Sequence, residues 1–204
     1  MHRQHPTSDI AFTDTVKQLQ VRNGSRETYA KMEARGGWPD LITPQLAAFI
    51  AQQDSFYLAT VNAEGQPYIQ HRGGPRGFLK PIDERTLAMA DFRGNRQFIS
   101  QGNLLESRKA FIFLMDYASR RRIKIWGEAR MIDDDADLLQ AVMPENYPAA
   151  PERVLLFKVT AWDPNCTQHI PRKIDADQVD AMLAERDREI TELKAQIERL
   201  QQGR

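Results

Sequence analysis

Residues 121–132 read RRIKIWGEARMI, an almost unbroken alternation. Ile123, Ile125, Gly127, Ala129 and Met131 fall on one side of an extended chain, and Arg122, Lys124, Trp126, Glu128 and Arg130 on the other. Successive side chains of a strand point to opposite faces, so one face belongs to a core and the other is wet or lines a site. The preceding run AFIFLMD at 110–116 has the continuous apolar character of a buried strand. Residues 55–61 are rich in aromatic and β-branched side chains, Asn62-Ala63-Glu64-Gly65 is a turn cluster, and 67–72 resume an extended pattern, which predicts a hairpin. Short strands are expected at 78–80 and 86–90, and a last one at 153–162. About six strands at roughly ten-residue spacing, with few helices between them, point to a mainly β protein, an antiparallel barrel rather than a Rossmann sheet.

The helices lie around this pattern. Residues 13–34 are polar and weakly periodic and are interrupted at Gly24-Ser25, which predicts two short helices with a break. Thr43-Pro44 supplies an N-cap and a proline at the first helical position for a helix over 44–53. A short helix is expected over 95–101 behind Gly94, and Asp133-Asp134-Asp135 marks the start of another through Val142, where acidic charge complements the helix dipole. In the tail, Val179, Leu183, Ile190, Leu193, Ile197 and Leu200 recur at steps of three and four, with Arg186 the one break. With Leu183, Ile190 and Ile197 at a, Val179, Arg186, Leu193 and Leu200 at d, and Glu189 at g facing Lys194 at the next e, this heptad suits a parallel coiled-coil dimer. The alternative is an amphipathic helix packed on its own chain. Isolated helices of this length are marginal in water, so some partner is required.

Composition removes several classes of function. The 28 basic and 28 acidic side chains cancel, which argues against electrostatic capture of nucleic acid or an anionic membrane. A single cysteine, Cys166, forms no internal disulfide, and no zinc-type spacing of Cys and His occurs, so a reducing, cytoplasmic setting and no metal site are expected. No apolar run approaches the ~20 residues of a membrane span, and the first residues lack the apolar core of a signal peptide. Cys166 has His169 three residues on, but no neighbouring group would orient it as a nucleophile.

Two basic, glycine-containing stretches carry the chemistry: His71-Arg72-Gly73-Gly74-Pro75-Arg76 and Asp91-Phe92-Arg93-Gly94-Asn95-Arg96-Gln97. Arginine forks grip phosphate bidentately, and backbone N–H groups at a helix N-terminus favour an anion. A phosphate-bearing ligand is therefore expected where the strand ending near Arg72 meets the helix starting near Asn95. The other reading is that these are solvated loop arginines. Neither a Walker motif nor GxGxxG accompanies them, which disfavours nucleoside triphosphates and Rossmann dinucleotides. Trp126 and Phe92 are candidates either for stacking on a ring system or for the core.

The order of helix, hairpin, arginine at a strand end, LAMADFRGNRQFISQGNL, KAFIFLMD and RRRIKIWGEARMI resembles the pyridoxamine 5'-phosphate oxidase-like family of FMN-binding split β-barrels. The resemblance covers residues 43–172. It implies a six-stranded antiparallel split β-barrel with peripheral helices over 43–172; outside it, the residue patterns above leave an N-terminal helical segment over 1–42 and a coiled-coil helix over 173–204. It implies FMN, with Arg72 as the strand-end arginine and Asn95-Arg96-Gln97 as the phosphate turn, although asparagine and glutamine replace the family's serine and lysine there. Asp91 stands in the same stretch, and His71, Gly73, Gly74 and Pro75 would place backbone and side chain near the flavin ring. Arg122 occupies the position of a glutamine that reaches the flavin of the second subunit; its other reading is a solvent-facing strand residue. His169 and Arg172 resemble part of the family's C-terminal signature, with the spacing off by one, so oxidation of vitamin B6 is not implied. His169 is either a flavin-contacting acid or base or a surface histidine.

The resemblance thus implies an FMN-dependent oxidoreductase, a homodimer with flavin at the interface, acting on a small-molecule substrate or electron donor and engaging neither nucleic acid nor membrane. It singles out no catalytic residue and no substrate. The alternative is a non-catalytic protein binding a flavin, haem or a deazaflavin, whose coiled-coil tail engages a partner. Arg96→Ala is expected to weaken FMN binding by about 1.5–3 kcal/mol, the range for a charge-assisted contact.

Overall fold

The computed structural model describes residues 5–165 and 168–202; Cys166 lies outside them. The residues fall into two units, residues 1–115 with 122–166, and residues 116–121 with 167–204. In the first unit, a 3-10 turn Thr7–Ile10 precedes α1 (Asp14–Arg22) and α2 (Arg26–Glu33), with Gly24 at φ +75° in the break between them. Then come α3 (Pro44–Ala51), β1 (Ser55–Val61), β2 (Pro67–Gly73), β3 (Lys80–Pro81), β4 (Thr86–Phe92) and α4 (Ile99–Glu106). The order continues with β5 (Lys109–Asp116), β6 (Arg121–Ile132), α5 (Ala136–Val142) and β7 (Pro151–Asn165).

The strands form one sheet of seven in the order β2-β1-β5-β6-β7-β4-β3. The expected count of about six is therefore corrected to seven among the described residues, one for each of the seven runs read as strands; the shortest, β3, pairs only Lys80 and Pro81 with β4. The expected strand over 78–80 is displaced because Phe78 and Leu79, both 1% exposed, turn into the core ahead of it. No ladder joins β2 to β3, so the sheet is not closed by backbone hydrogen bonds. The hairpin forms as read, with β1 and β2 antiparallel from Ser55↔Gly73 to Val61↔Pro67.

The core follows from the alternation. Phe56 and Leu58 of β1, Ile112 and Leu114 of β5, Ile123 and Ile125 of β6, and Phe157 of β7 join Leu46, Phe49 and Ile50 of α3 in one cluster. The apolar half of residues 121–132 thus faces the core, as its period demands. The polar half carries Trp126, which stacks on Trp38 with centroids 4.6 Å apart, while Lys124 lies over both rings and bonds Asp163 at 2.7 Å. The ring face considered for a ligand is therefore occupied by Trp38. A smaller cluster forms where α5 covers Ala88, Ala90 and Val154, and Asp135 caps that helix by accepting from the Leu138 N–H at 2.9 Å.

Two helix boundaries shift from the sequence reading. The helix after Gly94 begins at Ile99, since Arg96 and Phe98 adopt left-handed φ of 59° and 55° that no helix accommodates. Helix α3 ends at Ala51, and Gln53 folds its amide back onto the Phe49 carbonyl at 3.1 Å. Thr43 caps α3 by accepting from the Leu46 N–H at 3.2 Å. Thr43→Ala is expected to cost about 1 kcal/mol, read as a shift of the urea midpoint with unchanged slope.

In the second unit, α6 (Ala176–Gln202) is a single helix with no buried residue. Ile190, Leu193 and Ile197 are each about half exposed along its apolar seam.

Candidate cofactor site

Arg72 sits near the end of β2, at one end of the sheet, and its Nη1 donates to Asp91 on β4, near the other end. The sheet therefore curls until its two ends meet through side chains. At that seam lies a cleft lined by Gln70 and Arg72 of β2, Asp91 of β4, the loop over residues 94–98, the start of α4, and Glu152 and Arg153 of β7. Helix α4 is held there by buried polar bonds: Asn103 Nδ2 donates to Thr60 Oγ1 at 3.0 Å, and Ser100 Oγ donates to Gln70 Oε1 at 2.9 Å. Ile99, Ser100 and Gln101 of its first turn line the cleft, at the end of the helix that carries partial positive charge.

The electrostatics centre on Asp91. Its cross-strand partner in the β4–β7 ladder is Arg153, beside a register shift at Asp91/Phe92. Burial pushes the Asp91 carboxyl above its ordinary pKa, while the neighbouring Arg72 and then Arg153 pull it down. Arg153 spends Nη1 on Gln101 and Nη2 on Glu152 at 3.2 Å. The Nε–H groups of both Arg72 and Arg153 are buried without any hydrogen-bond acceptor. A buried unsatisfied donor costs about 1–3 kcal/mol, and both of these belong to residues that line the cleft, where an oxyanion is the chemically matching acceptor.

The structure brings together Arg72, Asp91, Asn95, Arg96 and Gln97 of the expected set. Arg96 is more exposed than Arg72; its Nε lies 3.9 Å from Glu152 and its guanidinium over the Phe98 ring. Asn95 Oδ1 accepts from the Gln97 N–H at 3.3 Å, which tightens the loop. His71, Gly73, Gly74 and Pro75 do not line this cleft. His71 is exposed with its ring edge-on to Tyr57, and the Gly74 N–H is spent on the Asp54 carbonyl at 2.9 Å. A Cβ at Gly74 would sit 2.7 Å from Phe78, so that glycine serves packing. Arg122 lies on β6, half-buried, with its own Nε–H unpartnered. His169, at φ 60°, and Arg172 are exposed residues of the second unit. Phe92 packs edge-on against Tyr147 at 5.0 Å and still reaches the cleft.

Sequence reasoning missed Arg153, Gln101 and Phe98. Arg153 stood at the start of an expected strand, and only the pairing of β7 with β4 brings it opposite Asp91. Among the described residues, no cluster of His, Cys, Asp and Glu could hold a metal ion, and no helix is long and apolar enough to cross a membrane.

The family model for pyridoxamine 5'-phosphate oxidase matches residues 42–166, more than half of the chain. The chain belongs to that family. No curated protein matches. Among solved structures, an FMN-binding protein from Syntrophomonas wolfei subsp. wolfei is similar at 16% identity and a TM-score of 0.48, covering 76% of this chain and 98% of that one. HupZ from Group A Streptococcus is similar at 20% identity and a TM-score of 0.47, over 65% of this chain and 99% of that one. HutZ, the haem storage protein from Vibrio cholerae, is similar at 17% identity and a TM-score of 0.42, over 59% and 89%.

Proposed function

We propose that this chain is a cytoplasmic FMN-dependent oxidoreductase, a homodimer whose curled sheet is the split barrel of its family and whose flavin lies at the subunit interface. The observation that carries the reading is the buried, unpartnered Nε–H of Arg72 at the mouth of a helix N-terminus, in a family member. The FMN phosphate would accept from Arg72, from the side chains of Asn95 and Gln97, and from the first N–H groups of α4. Arg96, more exposed and already facing Glu152, would add a weaker, screened attraction. Bound FMN supplies hydride or single-electron transfer; the protein's part is to fix the phosphate and tune the ring. Arg122, His169 and Arg172 would each act toward the partner subunit's flavin.

Oxidoreductase activity is tested by loading the full-length protein with FMN and following flavin absorbance anaerobically with NADH or NADPH, then on admission of an acceptor. Reduction and reoxidation over repeated cycles support an enzyme. A second reading, a non-catalytic flavin-binding protein, draws on one observation: both carboxylates of the cleft, Asp91 and Glu152, are engaged by arginines and leave no free acid or base there. Loaded FMN that no donor reduces would favour it.

The tail supports the dimer in this reading. The seam of α6 has isoleucine at a and leucine at d, and Glu189 and Lys194 are placed for an attractive g–e pair across parallel chains. Ile190→Asp with Ile197→Asp is expected to lower α6 helicity by circular dichroism and to raise the dimer dissociation constant at least tenfold by analytical ultracentrifugation. Unchanged association would assign the dimer to the barrel alone.

A further inference from the structure

We infer that Arg153 is a second arm of the phosphate clamp, binding the anion through its Nε–H opposite Arg72, with Asp91 as the fixed counter-ion between them. This rests on the FMN reading and adds a residue to it. Three observations carry it. The β4–β7 register sets Arg153 directly across from Asp91, so the two arginines approach one carboxylate from β2 and from β7. Both guanidiniums are held well inside, with 14% and 11% side-chain exposure, and both keep an Nε–H without an acceptor.

The third observation is how firmly Arg153 is oriented. Gln101 and Glu152 take its two terminal nitrogens, and its guanidinium lies over Phe98, 5.5 Å from the ring centroid. Its Nε stands 3.8 Å from Asp91 and 3.7 Å from Asp133, within ion-pair range of both and hydrogen-bonded to neither. One N–H of each terminal nitrogen is thus spent on holding the side chain, while the Nε–H, on a residue that lines the cleft, has no acceptor. Arginine serves here because a planar fork can be locked through its terminal nitrogens while the Nε–H stays unbonded, which the point charge of lysine cannot reproduce. Asp91 and Glu152 offset part of the positive charge, so the clamp favours a group that accepts directional hydrogen bonds over a diffuse anion.

The test titrates the full-length protein with FMN and, in parallel, with riboflavin, which lacks the phosphate. If the wild type binds neither, the cofactor reading itself falls; if it binds both equally, the clamp falls while a flavin site stands. With the wild type preferring FMN, Arg153→Gln is expected to weaken FMN at least tenfold and to leave riboflavin within twofold. Unchanged affinities, or an equal loss for both flavins, overturn the inference, the latter because it would mark a purely structural role. Arg153→Lys, which keeps the charge and its counter-ions but lacks the Nε–H, carries the test if the glutamine variant does not fold. At least a fivefold loss confined to FMN is expected there, and full FMN affinity overturns the assignment.

Discussion

Gly127→Ala is expected to destabilise the protein by about 3 kcal/mol or more, seen as a large fall in the urea midpoint. A Cβ at that position would stand 2.2 Å from the Lys158 carbonyl oxygen and 2.5 Å from Cε1 of Phe157. Neither neighbour can yield cheaply: one is backbone in a strand, and the other is a ring with 0% exposure in the centre of the core. The cause is local. Trp126 pairs with Ala161 and Gly127 with Val159, so one residue of β7 is skipped at this point and the strands press together. An unchanged midpoint would mean that β7 can slide past β6 without breaking the core.

Arg72→Gln is expected to have two separable effects. FMN binding should fall roughly tenfold to a hundredfold, the range of one charge-assisted hydrogen bond. Stability should fall by about 3 kcal/mol, because Asp91, 9% exposed, loses the partner its carboxylate is bonded to. Adding Asp91→Asn removes the stranded charge, so the double variant should recover much of the stability and none of the FMN affinity. Recovery of both would mean that Arg72 serves Asp91 alone, and that the phosphate is held elsewhere.

The fold was legible wherever a period was long enough to count. The alternation of residues 121–132, the β1–β2 turn cluster and the Thr43-Pro44 cap each turned out as read. The short strand read over 78–80 was legible in kind but not in position, since the two residues of β3, Lys80 and Pro81, are set only by their pairing with β4. Gly127 read simply as another core-facing position, because its need for a bare Cα arises from a register shift in a strand thirty residues on. Arg72, Asn95, Arg96 and Gln97, which residue chemistry and family resemblance single out, line one cleft. Arg153 was invisible for a physical reason: its partner is set by the strand register and by the curl that carries β2 to β4. The left-handed Arg96 and Phe98 also escaped notice, as nothing in their identity requires that backbone.

FMN binding is the property on which the proposed function turns. An absorbance spectrum of the purified full-length protein, with heat release and mass identification of any chromophore and titration with added FMN, addresses it in one preparation. A flavin spectrum and FMN bound at one per chain are expected, with the affinity weakened in Arg72→Gln. A colourless protein that also fails to bind added FMN would contradict the proposed function.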